Sequence, residues 1–220
     1  MIDRKGHAMA DKAKTWQMIH DERRALLPTL EGLTPEQWAA PSLCAGWSVH
    51  LVAAHILSGA EQTGPKFLAG MVASGFRFNA LMDREAHRLG TLAPAEIVER
   101  LRARTTTSNH PPAPAMAMLG EVVVHGEDIR RPLGLPGAAS GEATVACLDM
   151  LSRSGFPVGG RKRVQGLRLV AADLDWSRGE GPEVRGPGAS LVLAVSGRAA
   201  GLEGLAGDGL PTLRARLAGG

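Results

Sequence analysis

Apolar residues recur at three- and four-residue spacing almost from the start of the chain. Trp16, Ile19, Leu26, Leu27 and Leu30 form one stripe and Gly32 follows as a stop, which predicts a first helix over 11–31. Thr34-Pro35-Glu36-Gln37 combines an N-cap, a first-turn Pro and a Gln placed to close a capping box, so a short helix is predicted from there to about Ala40. After a loop through Trp47, Ser48 caps a helix on which Leu51, Val52, His55 and Ile56 share one stripe, and His55 is thereby predicted to face inward. Helical patterns follow over 65–88, broken at Gly75, and over 94–104 through Ile97, Val98 and Leu101. Beyond a Pro-rich turn at 109–114, another covers 115–130 through Leu119, Val122 and Val123, closed by Pro132 and Gly134. One more helix is expected over 141–152.

From Gly155 onward Gly and Pro become frequent and the period shortens. Leu167, Leu169 and Ala171 alternate with Arg168, Val170 and Ala172 as in a strand, and Gly179-Glu180-Gly181-Pro182 reads as a turn. A short strand is expected over 183–186, an apolar run of either type over 189–195, and a terminal helix over 210–217. The expected organisation is a helical domain over 11–155 and a small α+β domain over 161–220, with no internal repeat.

Hydrophobic residues make up 44% of the 220, but aromatics only 4% and Tyr is absent, so the core has to be filled by aliphatic side chains, which suits close-packed helices. The formal charge of +3 is a small excess over nearly balanced cations and carboxylates. The one basic run, Arg161-Lys162-Arg163, is too short to neutralise a phosphate backbone, so nucleic-acid binding is not expected. No apolar stretch reaches bilayer length and the first dozen residues are polar, which leads to the expectation of a soluble cytoplasmic protein with no membrane partner. Cys44 and Cys147 match neither a disulfide framework nor a Cys-rich metal module. Cys147 reads as core packing, and Cys44, just before Gly46-Trp47, as a small buried residue or a reactive thiol.

The chemistry-bearing pattern lies on two of the predicted helices. Residues four apart sit about 40° apart around a helix axis and about 6 Å along it, so Glu121 and His125 can present a carboxylate and an imidazole to one point. His55, on an otherwise apolar stripe, is the best third ligand, whereas His50 lies about 140° away and is expected to be exposed. Asp128 shares the face of Glu121 and His125, as a partner that orients a ligand or as a further ligand. Two His and one Glu leave coordination positions open for water or a thiol, as a catalytic zinc site does, and suit Zn, Ni or Fe comparably. The plain alternative is an exposed Glu/His pair beside a hydrogen-bonded core histidine.

Gly46-Trp47-Ser48-Val49 leading to Ala54-His55, and the run GEVVVHGEDIRRPLG from Gly120 to Gly134, resemble the mycothiol-dependent maleylpyruvate isomerase family, part of the wider DinB-like group of helical bundles. Asp173-Leu174-Asp175-Trp176-Ser177-Arg178-Gly179, Ser196-Gly197-Arg198 and Gly207-Asp208-Gly209 resemble strings in that family's C-terminal domain. The resemblance implies a mainly α fold, a DinB-like four-helix bundle followed by a small α+β C-terminal domain. It also implies a divalent metal, zinc first, on His55, Glu121 and His125. A low-molecular-weight thiol such as mycothiol would then attack a small electrophile, in an isomerase or S-transferase reaction. The chain departs from the pattern at Leu51, where relatives carry an acidic residue four before the histidine. Arg198 is the residue expected to hold an acidic end of substrate or cofactor, with a solvated surface position as the other reading. Arg130 and Arg131 are expected to cap the carbonyl end of their helix. A non-catalytic metal- or ligand-binding protein, serving as a sensor or interaction module, is the second functional reading of the same residues.

Overall fold

The computed structural model describes residues 4–155 and 158–219, with side chains from Asp11 onward. Its contacts divide the chain into two compact units, Met1–Ala138 and Ala139–Gly220.

The first unit holds α1 (Arg4–Glu31), α2 (Pro35–Ala39), α3 (Val49–Glu61), α4 (Gly64–Ala73), α5 (Phe78–Leu89), α6 (Pro94–Ala103) and α7 (Ala115–Arg130). A four-helix bundle results from α1 and α3 each packing on both α6 and α7, with α5 laid against α3. Ile19, Leu26 and Leu30 of α1, Ile56 and Leu57 of α3, Ile97 of α6 and Leu119 and Ile129 of α7 are almost fully enclosed. Burying side chains of this size contributes about 1.5–3 kcal/mol each, which is what draws the predicted stripes together. The first helix begins at Arg4 rather than near residue 11. At α2 the capping box forms as the sequence predicts: Gln37 N–H donates to Thr34 Oγ1 (3.3 Å) and Thr34 N–H to Gln37 Oε1 (2.9 Å). Ser48 caps α3 by accepting from Leu51 N–H at 3.3 Å. The break expected at Gly75 separates α4 from α5, with Gly75 at φ 60° and Phe76 at φ 58°.

Two local expectations are corrected here. Arg130 does not cap its own helix; its Nε donates to Thr29 Oγ1 at 3.0 Å and its Nη2 to Ala25 O at 3.4 Å, tying α7 to α1. Gly126 leaves the space for this, since a Cβ there would stand 2.8 Å from Arg130 Nη1. His50 is half-buried rather than exposed, with Nε2 3.0 Å from Gly90 O and its ring edge-on to Trp38.

The second unit comprises α8 (Gly141–Leu151), α9 (Gly160–Val164), β1 (Arg168–Ala171), β2 (Trp176–Arg178), β3 (Glu183–Gly186), α10 (Gly188–Val195), a 3-10 turn (Ala199–Leu202) and α11 (Leu210–Ala218). Its sheet has the order β2-β1-β3, with β1 antiparallel to β2 and parallel to β3. The helix over Gly141–Leu151 groups with this unit, because α8 packs on α10, whereas the apolar pattern alone placed it with the bundle. Gly188 permits that approach: a Cβ there would meet Thr144 Cγ2 at 2.9 Å. No helix among the described residues is long and apolar enough to cross a membrane.

Candidate metal centre

Two pairings across α3 and α7 outline the candidate site. His55 of α3 and His125 of α7 meet with ring centroids 4.8 Å apart and planes at 86°. One turn further along α3, Gly59 faces Glu121, one turn back along α7; a Cβ on Gly59 would fall 1.9 Å from Glu121 Oε1. The pairings advance in opposite chain directions, so the two helices run antiparallel and bring His55, Glu121 and His125 to one interface. Two imidazoles on a single tetrahedral ion, with bonds of ~2.0–2.1 Å, would hold their centroids about 5 Å apart, which the observed spacing suits.

Glu121 supplies the electrostatic reason to expect a cation. Burial pushes its carboxyl up to about 8, against the pull of the Arg23 guanidinium. Arg23, 5% exposed, is itself spent on backbone carbonyls, donating from Nη1 to Thr107 O (2.9 Å) and Arg104 O (3.2 Å). A carboxyl seated against a missing Cβ and kept protonated by burial fits a divalent ion, whose charge would take the place of that proton.

The other edge of the His125 ring is fixed by groups the sequence treats less fully. Asp128, 0% exposed, accepts from His125 Nδ1 at 2.8 Å and from the Cys44 thiol at 3.1 Å, both through Oδ2. With Asp128 ionised, its carboxylate can only accept, which would put the proton on Nδ1 and leave the Nε2 lone pair for a metal. Cys44 reaches this position on a loop closed upon itself: Ser42 N–H donates to Trp47 O (3.0 Å), Trp47 N–H to Cys44 O (2.9 Å), and Leu43 N–H to Asp128 O of α7 (3.1 Å). Gly46, at φ 79°, makes the turn. Trp47 then lays its ring 5.3 Å from that of His55 and donates from Nε1 to Asp83 at 3.1 Å.

Cys44, His125 and Asp128 therefore form a second group, and among the described residues it is the one trio whose ligand-type atoms all lie within 4.8 Å of one another. The sequence placed Glu121, His125 and Asp128 on one face and added His55; it did not place Cys44 against them. The adjacent Gly46-Trp47 turn was the available signal, but the closure depends on hydrogen bonds between elements. Gly59 and Arg23 were likewise missed. Arg198 lies in the second unit, just after α10, where its Nη1 donates to Ser196 O at 3.0 Å. Cys147 is fully buried in α8.

Residues 19–110 match the family model described as the mycothiol maleylpyruvate isomerase N-terminal domain. Two solved structures share the fold. One is a histidine-to-alanine mutant of the mycothiol-dependent maleylpyruvate isomerase, with TM-score 0.60 at 14% identity, covering 90% of this chain and 92% of that one. The other is the mycothiol-dependent maleylpyruvate isomerase itself, with TM-score 0.56 at the same 14% identity and the same coverage. Comparison with curated proteins finds no match. Residues 19–110 thus match the mycothiol maleylpyruvate isomerase N-terminal domain family, and the chain shares the fold of the mycothiol-dependent maleylpyruvate isomerases.

Proposed function

We propose that the chain is a metal-dependent enzyme that uses a low-molecular-weight thiol of mycothiol type as nucleophile toward a small electrophile, as an isomerase or S-transferase. The observation that carries this reading is the double pairing of His55 with His125 and of Glu121 with the gap at Gly59. His55, Glu121 and His125 would hold a divalent cation, zinc first, which when bound supplies the Lewis acidity that ionises a thiol. The chain's own residues prepare that position. Asp128 keeps the proton on Nδ1 of His125, Trp47 shields one side of His55, and Arg23 partly balances the charge of Glu121.

A second reading has a specific observation behind it: the tighter trio of Cys44, His125 and Asp128 as the metal ligands. Against it, those three already satisfy one another by hydrogen bonds, and a cation there would have to displace the protons of Nδ1 and Sγ. Metal content and affinity of Glu121→Gln and Cys44→Ala decide between them. Loss in the first with retention in the second supports the proposal; the reverse selects the trio. A metal-loaded protein that binds thiol but conjugates none of a panel of electrophiles would instead be the non-catalytic sensor.

A further inference from the structure

A cavity of about 480 Å³ opens between the C-terminal half of α3, α4 and α5, and its lining includes none of the candidate metal ligands. Ser58 and Gln62, each 8% exposed, line it, and neither side chain hydrogen-bonds to another described residue. A hydroxyl and a carboxamide so placed offer donors and acceptors to whatever occupies the space. Ala69, Gly70 and Ala73 of α4 supply a wall of small residues. The two carboxylates of the lining are already engaged: Glu61 with Arg100 at 2.7 Å, and Glu85 with Arg88 at 2.8 Å and, more loosely, with Arg84 at 3.5 Å. Arg100 is not part of the lining, and Lys66 makes no ion pair with a described residue, so the cavity keeps an excess of positive charge. Its volume falls within the range of small-molecule pockets, about 300–1,000 Å³.

We propose that this cavity binds a small organic acid that also carries hydroxyl or amide groups. The carboxylate lies toward Lys66 and Arg84, and the neutral polar groups meet Ser58 and Gln62. Ser58 and Gln62 follow His55 by three and seven residues on one side of α3, about 4.5 and 10.5 Å along its axis, so a ligand seated there extends toward the metal centre. Binding itself stands without that centre; its service to the centre rests on the function proposed above.

The test titrates the full-length ¹⁵N-labelled protein, metal-loaded and chelator-treated, with N-acetylglycine and glycerate, using N-acetylglycinamide as the uncharged control. The side-chain amide signal of Gln62, identified by its loss in Gln62→Leu, reports occupancy. The expected result is a saturable shift with both acids and not with the control, weakened about tenfold by Ser58→Ala and by Lys66→Glu, with or without metal. Backbone spectra of the two variants establish that they fold. No shift at millimolar acid, equal affinity for the control, or wild-type affinity in either variant overturns the proposal. Binding that disappears on chelation also overturns it, since the acid then sits on the metal. Acid binding by a protein that takes up no metal leaves the pocket standing and removes the metal reading alone.

Discussion

Replacing Gly59 by alanine is expected to separate the metal centre from the fold that carries it. The new Cβ would stand 1.9 Å from Oε1, 2.7 Å from Cδ and 2.9 Å from Oε2 of Glu121, so the carboxylate has to swing away. The obstacle is the far end of a flexible side chain, and α3 and α7 need not part. In the metal-free protein two small effects oppose each other. Alanine in a helix interior gains roughly 0.5–1 kcal/mol over glycine, and holding Glu121 off its preferred rotamer costs about 0.5–1.5 kcal/mol. The net change in stability stays within about 1 kcal/mol of zero. Metal affinity responds far more: loss of a partner that merely orients a ligand lowers it about 10–100-fold, and displacing a ligand should exceed the upper end of that range. Competition titration against a chelator reads the affinity, and urea unfolding of the chelator-treated protein reads the stability. Unchanged metal affinity would refute the assignment of Glu121. A loss of more than about 3 kcal/mol in the metal-free protein, well beyond the rotamer cost, would refute the premise that only a side chain yields.

Two further outcomes follow from the same geometry. Asp128→Ala removes the acceptor shared by His125 and Cys44, so metal affinity should fall about 10–100-fold and stability by about 1–3 kcal/mol, read by the same two assays; no change in either would mean that Asp128 does not set the ring's tautomer. The metal-free protein should also lose stability as pH rises from about 4.5 to 8. Across that window Glu121, raised by burial to about 8, keeps its proton in the folded chain while the unfolded chain has released it, so the folded state binds more protons. The loss amounts to at most about 5 kcal/mol, it should disappear on metal saturation, and a flat profile of urea midpoints in chelator would contradict it.

How much could be read from the sequence depends on whether a feature is local or assembled. The bundle helices and the inward face of His55 follow from three- and four-residue spacing, and the caps at Thr34 and Ser48 from short-range chemistry. The run over Gly188–Val195 was ambiguous because every face of α10 is buried, which erases the alternation that separates helix from strand. Its neighbour α8 carries an ordinary amphipathic pattern that says nothing about which unit it packs in. Cys44 and Arg130 show the same limit at single residues. Each is placed by a partner far away in the chain, Asp128 for one and Thr29 for the other, and spacing carries no information about such pairs.

The opposed stepping of α3 and α7 makes the centre behave like two meshed gear teeth. His55 engages His125, and the vacancy at Gly59 engages Glu121, each pair one turn from the next. Inserting a single residue between His55 and Gly59 would turn one tooth by about 100° relative to the other, so the length of this stretch is fixed by both contacts at once.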